Sequence, residues 1–265
     1  MKVCIICVNF NTESQIKDMI GSIKSSSDDV DIIIVNNSCY DLCEVDGLAD
    51  DYPFNIKVIH SNDNLGYFGG LDFSQGYIDK YLYEYVILAN PDIIFDALFF
   101  ENLVSADYSD NVGVIAPRLL NMPSNTNGNP FMTERITKKS LQLKLLIHSS
   151  WLFYSIYNLA HYIKKKYFKK NDSLHEAGYI YAPHGALFIF SKSYFQLNDC
   201  FLHCGFLYGE ELFVAEKCRE NNIGVYFDPS LLVQHIEHAS TSKLGNAKIS
   251  KYARLSLRNI IRKYF

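Results

Sequence analysis

The chain has 265 residues, 48% of them hydrophobic and 20% charged, enough to bury the core of one large domain or of a domain with an appendage. A formal net charge of −4 gives no overall basic surface for nucleic acid. No stretch approaches the roughly 18 apolar residues of a membrane span, and the run from Val3 to Val8 is too short for a signal-peptide core.

Val3 to Val8 is the first expected strand, ending on Asn9-Phe10-Asn11-Thr12. A helix follows, with Ile16, Met19, Ile20 and Ile23 on one face and Asn11, Thr12 or Ser14 as its cap. Ile32 to Val35 is a second strand, followed by Asn36-Asn37-Ser38. Ile56 to Ile59 is a third, followed by Asn64-Leu65-Gly66-Tyr67-Phe68-Gly69-Gly70. That glycine-rich turn matches neither the phosphate-cradling P-loop nor the dinucleotide loop. A helix from it should carry Phe73, Tyr77 and Ile78 inward. Val86 to Ala89 is a fourth strand, and Asn90-Pro91-Asp92 stops it. Leu98 to Val104 reads as helix and Val112 to Pro117 as a fifth strand. This close alternation predicts an α/β fold: a mainly parallel sheet with helices on both faces. Each polar cluster follows a strand, so all should gather at the sheet edge where such folds bind ligands.

Ser124 to Pro130 is polar and glycine-containing, and reads as a loop. From about 131 to 172 apolar residues such as Leu141, Leu145, Trp151 and Leu159 mix with lysines, ending in Lys164-Lys165-Lys166 and Lys169-Lys170. One or two amphipathic basic helices are expected there, packed on the core or lying on a membrane surface. Ala186 to Ser191, Val225 to Phe227 and Leu231 to Gln234 are further short strands, and a helix runs from Glu210 through Arg219 to Gly224. Residues 241–265 form a basic helical tail, with Tyr252, Leu255, Ile260 and Ile261 loosely on one face. The sheet domain itself spans 1–240.

Seven cysteines, several within strand and helix patterns, fit free thiols in a reducing cytoplasm. Cys39-x-x-x-Cys43 and Cys200-x-x-x-Cys204 lack standard zinc-ligand spacing. The chemistry points elsewhere. Asp92 sits at a strand end between apolar runs, where a lone carboxylate is costly unless paired. Glu210 and Glu211 open a helix, and His235 follows a strand. An Asp and a His together with ligand oxygens would suit Mg²⁺ or Mn²⁺, leaving a separate carboxylate as general base.

Seven segments, taken in order, resemble the family 2 glycosyltransferases of the GT-A fold, in the branch of bacterial rhamnosyltransferase-like enzymes that build surface polysaccharides. They are Val8 to Asn11, Val35 to Ser38, Asn64 to Gly70, Ala89 to Asp92, Gly185-Ala186, Tyr208 to Glu211, and His235 with Ser240. The resemblance covers most of residues 1–240. It implies that Asn9, Phe10 and Asn11 border the nucleotide base and that Asn36, where the family usually has Asp, accepts from the base N–H. Asn64, Gly66, Gly69 and Asn90 would lie near the nucleotide. Asp92 would be the retained carboxylate of the Asp-x-Asp metal motif, and His235 a further ligand to Mg²⁺ or Mn²⁺. Glu211 matches the catalytic carboxylate, usually Asp, with Glu210 the alternative. The implied activity is inverting transfer from a UDP- or dTDP-sugar to a glycan or polyprenyl-diphosphate-linked acceptor, at the inner face of the cytoplasmic membrane. Two other readings stay open: a nucleotidyltransferase, and a non-catalytic sugar-nucleotide-binding assembly protein.

Overall fold

The computed structural model describes residues 2–26, 29–38, 46–61, 63–167, 176–198, 205–236 and 245–265, with backbone only for 161–167. Cys39, Cys43, Cys200, Cys204, Lys169, Lys170, His238 and Ser240 lie outside the described residues.

Strands β1 (Val3–Asn9), β2 (Val30–Asn36) and β3 (Asn55–His60) alternate with helices α1 (Glu13–Gly21), α2 (Leu48–Asp51) and α3 (Gly66–Ser74). Strand β4 (Tyr85–Ala89), the short β5 (Ile93–Phe95) and α4 (Phe99–Ser105) follow. Then come β6 (Val112–Met122), β7 (Thr126–Asn127), α5 (Lys138–Ile147) and α6 (Trp151–Tyr167). The chain returns through β8 (Gly178–Ile180), β9 (Leu187–Ser191), α7 (Lys192–Leu197), α8 (Glu210–Glu220), β10 (Gly224–Ile236) and α9 (Asn246–Tyr264).

All described strands join one sheet in the order β3-β2-β1-β4-β9-β6-β10-β5, with β7 on β6 and β8 on β10. The first four strands are parallel, β9 runs against both its neighbours, β6 and β10 are parallel, and β5 runs against β10. The sheet is therefore mixed, in an α/β fold. The expected short strands after 224 are one strand, β10, whose register slips between Asp228 and Leu232.

Every residue of β1, β2, β4 and β9 is buried, because helices cover both sheet faces. Alternation divides them between two cores. Val3, Ile5 and Cys7 join Ile16, Met19, Phe99 and Leu103 on one side. Cys4, Ile6 and Val8 join Phe68, Leu71, Phe213 and Ile260 on the other.

Three sequence-based assignments shift. Helix α3 buries Phe68 and Leu71, while Tyr77 is exposed, because α3 begins at Gly66 and ends at Ser74. The buried face of α9 is Ala253, Leu257, Ile260 and Tyr264, and Leu255 points outward. Thr12 precedes α1 without capping it; its hydroxyl donates to Asn9 Oδ1. Helix α9 also supplies Leu257, Ile260 and Tyr264 to the core beside α8, so the segment after 245 is packed against the sheet domain.

The strand order reverses beside β1: β2 and β3 lie on one side of it, and β4 on the other. Open α/β sheets bind ligands in the crevice at such a switch point, beyond the carboxyl ends of the strands.

Candidate active site

A cleft of about 510 Å³ occupies that position, lined among others by Val8, Asn37, Asn90, Asp92, Glu211 and His235. Its centre is built by strand pairing. Beyond β4 the chain turns at Asn90, whose N–H donates to the Ala186 carbonyl, and enters β5. Antiparallel pairing of β5 with β10 sets Ile93 opposite His235, and the Ile236 N–H donates to the Asp92 carbonyl. Residues 143 positions apart in sequence are thereby brought side by side. His235 Nε2 stands 3.4 Å from Asp92 Oδ1. Parallel pairing of β10 with β6 sets His235 opposite Asn121, and Nδ1 lies 3.0 Å from Asn121 Oδ1. The Asn121 oxygen can only accept, so Nδ1 carries the hydrogen and Nε2 keeps its lone pair.

Asp92 is 3% and His235 8% exposed, yet Asp92 Oδ1, Oδ2 and His235 Nε2 have no hydrogen-bond partner. Buried polar atoms are rarely left so, and an anionic pair of oxygens least of all. Two carboxylate oxygens and an imidazole lone pair facing a cleft fit a divalent cation that completes its shell with ligand oxygens. Among the described residues no group of three or more His, Cys, Asp or Glu forms a complete protein cage. Carboxylate oxygens with one imidazole nitrogen are donors of the kind that Mg²⁺ or Mn²⁺ takes.

Facing them is the start of α8. Tyr208 and Gly209 both have left-handed backbone, φ 71° and 88°, and this double turn swings the chain into the helix. It presents Glu210 and Glu211 at the first turn, where the helix dipole favours anions. Burial, then the charge of Glu211, pushes Glu210 up to about 8. Burial also raises Glu211, but its own N–H, the Gly185 N–H and the positive charge of Lys144 pull the other way. These donors and the lysine charge act on Glu211 in favour of its ionised form. Gly185 is the residue that lets Glu211 in: a Cβ there would stand 2.7 Å from Glu211 Oε1.

The sequence-predicted residues divide. Phe10, Asn64, Gly66, Asn90, Asp92, Glu210, Glu211 and His235 line the cleft together. Asn9, Asn11, Asn36 and Gly69 do not line it. Asn9 and Asn36 are buried and spent on each other: Asn9 Nδ2 donates to Asn36 Oδ1 at 3.0 Å, and that oxygen also accepts from the Ser38 N–H. Asn36 Nδ2 meets His60 Nδ1 at 3.1 Å. Asn9 Oδ1 accepts from Thr12, and the Asn11 N–H donates to Ser38 Oγ. These residues tie the corners after β1 and β2 together. The next residue, Asn37, reaches the cleft instead, with its amide donating to the Gly66 carbonyl. Asn64 Oδ1 accepts from the Gly66 N–H, and Gly66 has φ +74° where a Cβ would overlap the Phe206 carbonyl.

Sequence reasoning missed Tyr67, His184, Lys248 and Tyr252, which also line the cleft. The Tyr67 hydroxyl is buried without a partner, and burial together with the nearby charges, Glu210 and Asp92 among them, keeps it protonated. Its place inside the glycine-rich turn was a signal. The His184 ring sits 5.7 Å from that of His235, and burial lowers its pKa to about 4, so it is neutral.

A family model described as glycosyl transferase family 2 matches residues 4–195. The chain belongs to this family. A curated relative, the low-salt glycan biosynthesis hexosyltransferase Agl10 of Haloferax volcanii, is 30% identical over 130 residues, 48% of this chain. The chain spans 40% of that relative's length. Among solved structures, GalNAc-T7 with UDP, GalNAc and Mn²⁺ superposes with a TM-score of 0.62 at 14% identity, over 98% of this chain and 48% of that one. The mannosyltransferase PcManGT of Pyrobaculum calidifontis, with GDP-Man and Mn²⁺, gives 0.59 at 12%, over 99% of this chain and 64% of that one. Likeness at such identities speaks for the fold, which is the GT-A fold.

Proposed function

We propose that this protein is an inverting glycosyltransferase. It transfers a hexose, as a rhamnosyltransferase-like enzyme would, from a UDP- or dTDP-sugar to a hydroxyl of a growing surface glycan such as O-antigen or capsule. The acceptor glycan is carried on a polyprenyl-diphosphate lipid, and the enzyme works at the inner face of the cytoplasmic membrane. One observation carries the reading: three unpartnered metal-type donor atoms, on Asp92 and His235, share a cleft with a carboxylate pair at a helix start. Family membership supports sugar-nucleotide chemistry, and the relative's name speaks of a hexosyltransferase in glycan biosynthesis. The nucleotides and Mn²⁺ in the two structural neighbours support a metal-assisted donor.

Asp92 and His235 would hold Mg²⁺ or Mn²⁺, which supplies charge neutralisation for a nucleoside diphosphate leaving group. The chain's own residues do the rest. Asn37, Asn64 and the Gly66 backbone offer the polar wall for the nucleotide, with Phe10 at its edge. Glu211, whose anion the Gly185 N–H and Lys144 favour, takes the proton from the attacking acceptor hydroxyl. That oxygen enters the anomeric centre from the face opposite the departing diphosphate, so a single displacement inverts the configuration. Glu210, which burial keeps largely protonated, leaves the base with a neutral neighbour. Tyr67 adds a hydrogen-bond donor to the cleft.

The test is a thermal-shift screen of UDP-, dTDP- and GDP-sugars with and without Mn²⁺, followed by transfer assays on the best donor. Metal-dependent stabilisation, nucleoside diphosphate release and an inverted product by NMR are expected, with turnover lost in Glu211→Gln. Pyrophosphate release, or a product that retains the donor configuration, would refute the assignment.

A further inference from the structure

Over its described side chains, 151–160, helix α6 is amphipathic the wrong way round: the less exposed positions there are Tyr154, Ser155 and Asn158, two of them polar. Ser155 Oγ accepts from Asn246 Nδ2 at the start of α9, and the Tyr154 ring lies 4.7 Å from that of His148. Its outer side carries Trp151, Leu152, Phe153, Ile156 and Leu159, each at least half exposed. Helix α5, anchored by the fully buried Leu141, adds Leu143 and Leu146 to the same exposed inventory, both 59% exposed. A helix of a water-soluble body turns its apolar stripe inward. Clustered apolar exposure of this kind marks a docking surface.

Charge identifies the occupant. No Asp or Glu occurs between Glu134 and Asp172, a span that contains Lys138, Lys139, Lys144 and Lys164-Lys165-Lys166. Helix α9, against which α5 and α6 pack, has lysines and arginines and no acidic residue. In a chain of net charge −4, the excess of positive charge is thus confined to this helical layer. Outward tryptophan, phenylalanine and aliphatic side chains among cations, with no helix among the described residues able to cross a bilayer, make an interfacial element. A protein partner would need matching acidic and apolar faces; an anionic lipid surface has both everywhere.

We infer that the outer face of α6, with the adjoining end of α5, is the surface by which this protein docks on an anionic membrane. The apolar side chains enter the headgroup boundary and the surrounding lysines meet lipid phosphates. The inference deepens the proposed function, and rests on it only in giving the docking a purpose. Helix α9 connects the two sites, since its Lys248 and Tyr252 line the catalytic cleft while its start holds α6. Docking through α6 therefore sets the cleft close to the lipid plane, where the head of a lipid-linked acceptor lies.

Trp151 is the single tryptophan of the chain, so the intact protein carries its own reporter. Its emission should shift to the blue, and become quenchable by brominated lipid, on mixing with phosphatidylglycerol vesicles but not with phosphatidylcholine vesicles. Flotation should follow the same pattern and weaken with salt. Phe153→Ser combined with Ile156→Ser and Leu159→Ser should lower vesicle partitioning about tenfold or more. Nucleotide–Mn²⁺ thermal shift should stay unchanged in that variant, since none of the three lines the cleft. Undiminished flotation of the triple variant would overturn the assignment of α6 while leaving membrane contact elsewhere. Absence of binding to anionic vesicles would overturn the docking while leaving the donor-site reading to its own assay. A wild-type dimer by light scattering that the triple variant abolishes would also overturn it, by giving the face to a second copy of the chain.

Discussion

Asp92→Asn should stabilise the ligand-free protein and abolish its response to metal. Both carboxylate oxygens are buried without a hydrogen bond, and His235 Nε2, 3.4 Å away, turns a lone pair to them and no proton. A buried charged group left unsatisfied costs at least the roughly 1–3 kcal/mol of a neutral one. The net gain on neutralising it is on the order of 1–3 kcal/mol. For a chain of 265 residues that corresponds to a rise in Tm of about 2–5 °C. Mn²⁺ with nucleoside diphosphate at a thousand times Kd should stabilise the wild type by about 4.1 kcal/mol, and the variant hardly at all. The two melting curves should therefore change order: variant above wild type in chelator, the reverse in saturating Mn²⁺ and nucleotide. Differential scanning calorimetry in both buffers measures this directly. A variant that melts below wild type in chelator means the carboxylate has folded-state partners, and a retained metal-dependent shift means Asp92 is not the ligand. Either result defeats the reasoning.

Gly185→Ala sets a methyl where Glu211 Oε1 now lies 2.7 Å away, and the carboxylate end is free to give way. The fold and Tm should hardly change, while kcat falls by about ten- to a hundredfold through a misplaced base; steady-state kinetics with an unchanged nucleotide KM would bear this out, and an unaltered kcat would contradict it. The glutamate pair predicts a pH effect of defined sign. Because the folded pKa of Glu210 is raised to about 8, the folded state binds more protons than the unfolded one between about 4.5 and 8. That contribution to stability is complete below about 4.5 and is lost as pH rises towards 8. Glu210→Gln should flatten this slope, by on the order of a few kcal/mol in denaturant titrations across the window. With no second charge to accumulate, its pH–rate profile should also begin to rise at lower pH than that of the wild type.

The β-strand skeleton was legible because fully buried strands leave unbroken apolar runs, and Val3 to Val8, Ile32 to Val35 and Val86 to Ala89 are such runs. Ordered motifs at their ends were enough to mark Asp92, Glu210, Glu211 and His235 as a group. Sequence order alone could not say that β9 would insert between β4 and β6, or that the sheet would turn mixed beyond β4, because those pairings are long-range. It named Asn36 for the cleft where the fold uses Asn37, since adjacent strand-end residues turn opposite ways and only the packing of the corner decides which is outward. The placement of α6 is of the same kind. The sequence specified a basic helix with a large apolar surface. Tertiary packing decided that Ser155 would meet α9 while Trp151 and Ile156 stayed more than half exposed, because α9 presents a polar start to that side. The meeting of Asp92 with His235 was likewise fixed by β5–β10 register, a contact that no local pattern in either segment encodes.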